Sequence, residues 1–331
     1  MIDILLFFIA AALLLYVILG GADYGAGILE LLPIGDLKQK QRETINYAMG
    51  PVWEANHIWL ILVVVILFMG FPLVFNTMMT YLHLPMVALL VGIVVRGTAF
   101  TFRHYDAVHE ETSQNVYSWV FGFSSLWTSL WIGVIAGTIG RGSIDMQART
   151  FFDAYVAPWW GVFPLATGIM TTFIFAFLAS VYLVGETKDP SLKKIFWRRG
   201  FALNIGVVLA GALVFFTAYL EKVDLFIKFI TNPVALAMMI LATGLFFVLW
   251  YFVRRNQPLL VRFVGAGQVI LILGGWYVVS APTALQTTAG PITFFQAAAP
   301  PATQLQLVIA LLFGSVLIFP SLFFLLRVFK K

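Results

Sequence analysis

Apolar runs of about twenty residues recur along this chain, and they leave it few folds to choose from, because a helix needs about that length to cross the hydrocarbon layer of a bilayer. Bounded by polar or Gly/Pro clusters, the runs fall at roughly 3–26, 55–75, 80–102, 115–139, 158–184, 200–220, 233–253, 262–281 and 304–327. This pattern predicts an all-α polytopic membrane protein of about nine transmembrane helices. Of 331 residues, 61% are hydrophobic and 11% charged, against about 25% charged in soluble chains. The first twenty or so residues lack a basic leader and a small-residue cleavage site and read as a retained first span.

An odd number of spans places the termini on opposite faces. Lys38, Lys40, Arg42, Arg103, the basic run 188–199, Arg254, Arg255, Arg262, Arg327, Lys330 and Lys331 fall in one set of ends and connections, against Arg141, Arg149, Lys222 and Lys228 in the other. The positive-inside rule makes the first set cytoplasmic, the N-terminus outside and the C-terminus inside. It also accounts for the formal charge of +5 without a nucleic-acid partner; the bilayer is the expected surroundings. A boundary in the outer loop around Gly140 to Pro158 divides the chain into a first four-helix bundle (1–140), a second (141–281), and an outer connection with a ninth helix (282–331). The charged loop Glu186 to Lys194 is the alternative boundary. Residues Pro282 to Pro301, uncharged and rich in Thr, Gln, Ala and Pro, read as an irregular connection.

Against this apolar background, Gly50-Pro-Val-Trp-Glu-Ala-Asn-His-Ile-Trp-Leu60 stands out at the mouth of the second run. Trp53, Glu54, Asn56 and His57 fall within one helical turn and are expected to face a common interior, since a carboxyl at the centre of a span costs roughly 2.5 to 3.5 kcal/mol without a partner or a wet cavity. Glu54, just after Pro51, also suits the first turn of a helix as a complement to its positive end. Asp23 lies in Gly20-Gly-Ala-Asp-Tyr-Gly-Ala-Gly27, where Gly21 and Gly25 have the spacing of close helix packing; an acid there is ion-paired or functional. Arg96, one heptad before Arg103, needs a counter-ion unless it snorkels to the interface. Glu54 is the first candidate and Asp23 the second.

The absence of cysteine excludes thiolate metal sites and c-type haem attachment from this chain. His57 and His104 near one face make a bis-imidazole site conceivable. However, His104 and His109 belong to a polar run and His83 starts its helix at the other face, so the histidines read as interfacial and no metal site is expected. No Gly-rich phosphate loop, H-E-x-x-H or nucleophile elbow is present.

Gly21-Ala-Asp-Tyr-Gly-Ala-Gly27, Arg42 and Gly50-Pro-Val-Trp-Glu-Ala-Asn-His-Ile-Trp-Leu-Ile61 together resemble subunit II of the cytochrome bd quinol oxidases, and Trp-Glu-Ala-Asn-His resembles the branch called cyanide-insensitive. Arg96-Gly-Thr-Ala-Phe-Thr-Phe-Arg103, Ala302-Thr-Gln-Leu305 and Pro320 are similar to the family as well. The resemblance covers the whole chain. It implies two four-helix bundles plus one helix, paired in the bacterial cytoplasmic membrane with a haem-bearing subunit I that carries two haems b and one haem d and draws on the quinol pool. It further implies reduction of dioxygen to water with protons taken from the cytoplasm and none pumped. Glu54 and Asp23 match the family's proton-path acids, supported here by Trp53, Asn56, His57, Arg96 and Arg103. A structural quinone and small single-helix accessory subunits occur in some members. The rival readings are a purely structural assembly subunit and a proton-coupled secondary transporter.

Overall fold

The computed structural model describes residues 1–32, 34–50, 53–106 and 110–329. Pro51, His109, Lys330 and Lys331 lie outside them, as does the side chain of Arg327. Among the described residues nine helices are long and apolar enough to cross a membrane: Ile2–Glu30, Trp53–Gly70, His83–Tyr105, Glu111–Arg141, Val162–Glu186, Pro190–Leu220, Pro233–Arg254, Pro258–Ser280 and Pro301–Phe329. The chain is a multi-pass membrane protein.

The helix ends depart from the apolar runs where local chemistry dictates. The second span, expected to reach 75, stops at Gly70. Phe71 leaves the helical region, and Pro72 opens a separate helix, Pro72–Tyr81, because proline has no N–H to give and disfavours a helical residue before it. The sixth span begins at Pro190 rather than 200. Asp189 accepts from the amides of Ser191 and Leu192, and proline occupies the first turn, a start signal that outranks the basic residues following it. An amphipathic helix, Lys38–Met49, lies between the first two spans.

The connection 282–301 is more ordered than expected. Thr283–Thr287 and Gly290–Thr293 form an antiparallel hairpin, whose turn uses Gly290 at φ +121°, a conformation open chiefly to glycine. Thr287 also bridges Ile144 in the loop after the fourth span. Leu285 is buried with Ile144, Leu5, Phe71 and Leu82, so the hairpin closes one end of the helices. It is the one strand pair among the described residues.

The fifth span is the spine of the bundle: it packs against the first, fourth, sixth and eighth spans, while the ninth lies on the first and second. Lipid tails give apolar side chains no reason to cluster, so close backbone approach has to do the holding. Gly25 shows this. A side chain there would collide with the backbone carbonyl of Phe175 on the fifth span and come within 2.8 Å of Ala179 Cβ.

One exposed link joins the amphipathic helix to the sixth span: Lys40 Nζ donates to Asp189 Oδ2 at 2.7 Å. The Lys40 hydrogen bond, aided by the Leu192 and Ser191 amides, holds the Asp189 carboxyl below the usual aspartate range. The same bond holds Lys40 above the usual lysine range. The Asp189 contribution is therefore present above the unfolded carboxyl's pKa and lost as pH falls through the lower folded one. That of Lys40 is present below the unfolded amine's pKa and lost as pH rises through the higher folded one. Asp189→Asn is expected to lower the melting temperature slightly and evenly across neutral pH, with the difference closing only in strong acid; melting curves against pH check it.

Candidate functional site: two buried ion-pair rungs and a polar turn

The first span is not a uniform helix. Leu5, Ile9, Ala12 and Tyr16 face inward along its first half, Tyr16–Gly20 forms a π-helical turn, and residues 21 to 29 are then all buried. Single π turns widen a helix by one residue and recur at functional sites. Small residues beyond the turn let neighbouring spans close around Asp23.

Asp23 is 1% exposed and its partner is Arg96, also 1% exposed. Arg96 Nη2 donates to Asp23 Oδ1 at 2.5 Å and Nε donates to Ser125 Oγ at 3.3 Å. The guanidinium lies over the rings of Tyr24 and Phe121, 4.9 Å from each centroid. Nη1 is buried without a hydrogen-bond partner among the described residues. Arg96 is thus neither snorkelling nor paired with Glu54. Its counter-ion is the second of the two expected acids.

Seven residues further along each helix the arrangement repeats. Arg103 Nη1 donates to both carboxylate oxygens of Glu30, at 2.7 and 2.9 Å, and to Ser118 Oγ at 3.4 Å. Arg103 Nη2 donates to Asn46 Oδ1 at 2.5 Å, and Arg42 Nε stands 3.7 Å from Glu30 Oε1. Asp23 and Glu30, Arg96 and Arg103, and Ser125 and Ser118 are each one heptad apart. A heptad nearly restores the angular position on a helix, at a rise of about 10 Å. Glu30, which the sequence reading passed over as the end of a span, is the fourth member of this ladder. Its signal was the shared heptad with Arg96 and Arg103.

The polar turn divides. Asn56 is buried and donates to Leu19 O at 3.4 Å; Trp53 is half-buried with its ring 5.4 Å from Phe100. His57 is half-buried, its ring centroid 6.2 Å from Tyr24 and 6.3 Å from Trp53, and the Tyr24 hydroxyl lies 3.0 Å from that of Tyr16. Glu54 is exposed, with no hydrogen-bond or ion-pair partner among the described residues. The expected common interior is corrected accordingly: positions two apart on a helix differ by about 200°, so a buried Asn56 turns Glu54 outward. His57 is within electrostatic reach of both acids.

A haem would need axial ligands of its own. His83 Nδ1 lies 2.8 Å from Thr80 O, His104 packs on Tyr105 and His57 on Tyr24 and Trp53, three separate settings. Among the described residues no group of three or more His, Cys, Asp or Glu could hold a metal ion.

A family model described as cytochrome bd terminal oxidase subunit II matches residues 1–329. Cytochrome bd ubiquinol oxidase subunit 2 of Bacillus subtilis is 27% identical over 254 residues, covering 76% of this chain and 72% of its own. Cytochrome bd-I ubiquinol oxidase subunit 2 of Escherichia coli K12 is 24% identical over 175 residues, 52% of this chain and 45% of its own. In fold, the chain matches one from the structure of bd oxidase from Geobacillus thermodenitrificans with a TM-score of 0.79 and 17% identity, covering 99% of this chain and 98% of that one. With a match running from end to end of the nine-span fold, the chain belongs to the cytochrome bd terminal oxidase subunit II family and is a membrane subunit of a quinol-oxidising respiratory oxidoreductase.

Proposed function

We propose that this subunit carries protons from the cytoplasm to an oxygen-reducing site in a haem-bearing subunit I, by way of Asp23 and Glu54. The observation that carries this reading is Asp23: a buried acid that accepts from Arg96 through Oδ1, within electrostatic reach of an imidazole whose helix continues outward to a second, exposed acid. A proton relay needs such groups within reach of one another or of an intervening water. Arg96 holds Asp23, Arg103 holds the neighbouring rung, and Trp53, Asn56 and His57 shape the turn between the acids.

Glu54 heads an exposed stripe of Ile58, Ile61, Val65 and Phe68. Their alternating spacing of four and three is that of a helix-packing seam, about 3.5 residues per repeat. We place subunit I on this face, which takes Glu54 out of lipid. Two haems b and one haem d belong to that subunit, which exchanges electrons with the quinol pool. A structural quinone in the first bundle and single-helix accessory subunits complete the proposed complex. The basic ends of the spans put the N-terminus outside and the C-terminus in the cytoplasm of a bacterial cell. The division into 1–140, 141–281 and 282–331 is part of this reading: the third span packs on the fourth and the seventh on the eighth, and the fifth ties the second group to the first and fourth spans.

In the purified oxidase, Asp23→Asn and Glu54→Gln are each expected to slow quinol-driven oxygen consumption per haem by about tenfold or more, with the haem spectrum retained. If turnover per haem is unchanged and only the yield of complex falls, these residues serve assembly.

A further inference from the structure

The two rungs are built alike but are not joined. Glu30 and Asp23 are separated by about 10 Å along the helix, beyond direct transfer, which requires about 2.6 to 3.2 Å or one intervening water. On the face between them Gly27 contributes no side chain, and a Cβ there would collide with Ser125 Oγ and lie 3.1 Å from the Phe121 ring. Phe121, wholly buried, fills the interval. The guanidinium of Arg96 is 4.9 Å from its centroid and that of Arg103 is 4.7 Å. An apolar ring held by two fixed cations is a barrier to water and to ions alike.

Glu30 stands on the side of this barrier that leads to the basic end of the protein. A cavity of about 230 Å³ is lined there by Gln39, Arg42, Glu111 and Gln114. Arg42 spans from that cavity to Glu30, and its buried Nε makes no hydrogen bond among the described residues. A buried donor left over beside a polar cavity marks a place where water or another acceptor can sit.

We infer that Glu30 is the carboxylate at which protons are taken up from the inner cavity, and that Phe121 separates this uptake acid from Asp23. This rests on the proton-supply reading above and extends it to a residue and a barrier. In the uptake step a hydronium ion in the cavity gives its proton to the Glu30 carboxylate and leaves as water. When the Phe121 ring turns aside, a water entering the interval accepts that proton and gives one on to the Asp23 carboxylate, and Glu30 returns to the anion held by Arg103. The groups facing Glu30 are Arg103 on the third span, Arg42 on the amphipathic helix, Glu111 across the cavity on the fourth, and Arg199 on the sixth, which donates to Leu29 O and Leu32 O. Without Glu30, uptake depends on the scarce hydronium of the bulk.

The test uses the purified oxidase with oxygen consumption per haem measured across pH. Glu30→Gln is expected to slow turnover about tenfold, with a deficit that deepens as pH rises. Adding Phe121→Ala to Glu30→Gln is expected to recover a large part of the rate, because removing the ring lets water reach Asp23 directly. A purely structural Glu30 would be made worse, not better, by a second loss in its surroundings. Normal turnover in Glu30→Gln, or a double variant no faster than the single one, overturns the inference. Should the double variant lose its haems, Glu30→Asp decides: turnover well above that of Glu30→Gln supports an uptake acid, and equal loss in both overturns it. Asp23→Asn separates the two levels. If it slows turnover and Glu30→Gln does not, only the uptake site fails; if neither does, the proton-supply reading fails too.

Discussion

Replacing Arg96 by Met is expected to cost the folded protein about 3 to 5 kcal/mol, because it leaves the Asp23 carboxylate buried with no counter-charge. Both side chains are 1% exposed, so water cannot take over the missing interaction. The first sign would be loss of assembled complex at growth temperature, followed by a lower melting temperature, read from haem absorbance, in whatever can be purified. Replacing both partners, Asp23→Leu with Arg96→Met, should restore much of the stability, since a buried pair exchanged for packed apolar groups is often neutral or better. It should not restore turnover. A stable Arg96→Met protein would show that the pair is not the anchor its geometry describes.

Gly25→Ala is the second large effect. The added methyl would meet the Phe175 backbone, which cannot swing aside as a side chain can. The first and fifth spans would have to part along their whole contact. Overpacking of a well-filled core costs about 1 to 3 kcal/mol, and here the displaced group is the helix that holds both halves together. Gly244→Ala is the control: nothing lies within 4 Å of its added methyl, so that helix should gain up to about 1 kcal/mol. Yield and melting temperature of the two variants should move in opposite directions.

The spans were legible because bilayer thickness fixes their length and hydrocarbon fixes their composition, two constraints written residue by residue. The pairing of Arg96 was not, because it depends on which way each helix is turned. Nothing near position 54 states that Asn56 rather than Glu54 points inward; that follows from packing against Leu19 and the first span. Glu30 was missed for a related reason. At the end of a run it resembles any interfacial acid, and only the matching heptads of Asp23, Arg96 and Arg103 mark it as a member of a ladder. The hairpin at 283–293 escaped because its strands are short and take part of their order from a bridge to Ile144, a contact between distant parts of the chain.

The π turn at Tyr16–Gly20 has a consequence for the length of the first helix. One additional amino acid taken up in that coil lets the outer stretch turn Leu5 and Ile9 to the second and ninth spans while the inner stretch lies against the fourth and fifth with Asp23 and Glu30 on the arginines of the third. Shortening the coil by a single amino acid would close it to an ordinary turn and leave both acids facing their arginines, whereas the same deletion between Asp23 and Glu30 would swing Glu30 about 100° out of register with Arg103. Hydropathy alone would not tell the two deletions apart, though only the second takes a rung away.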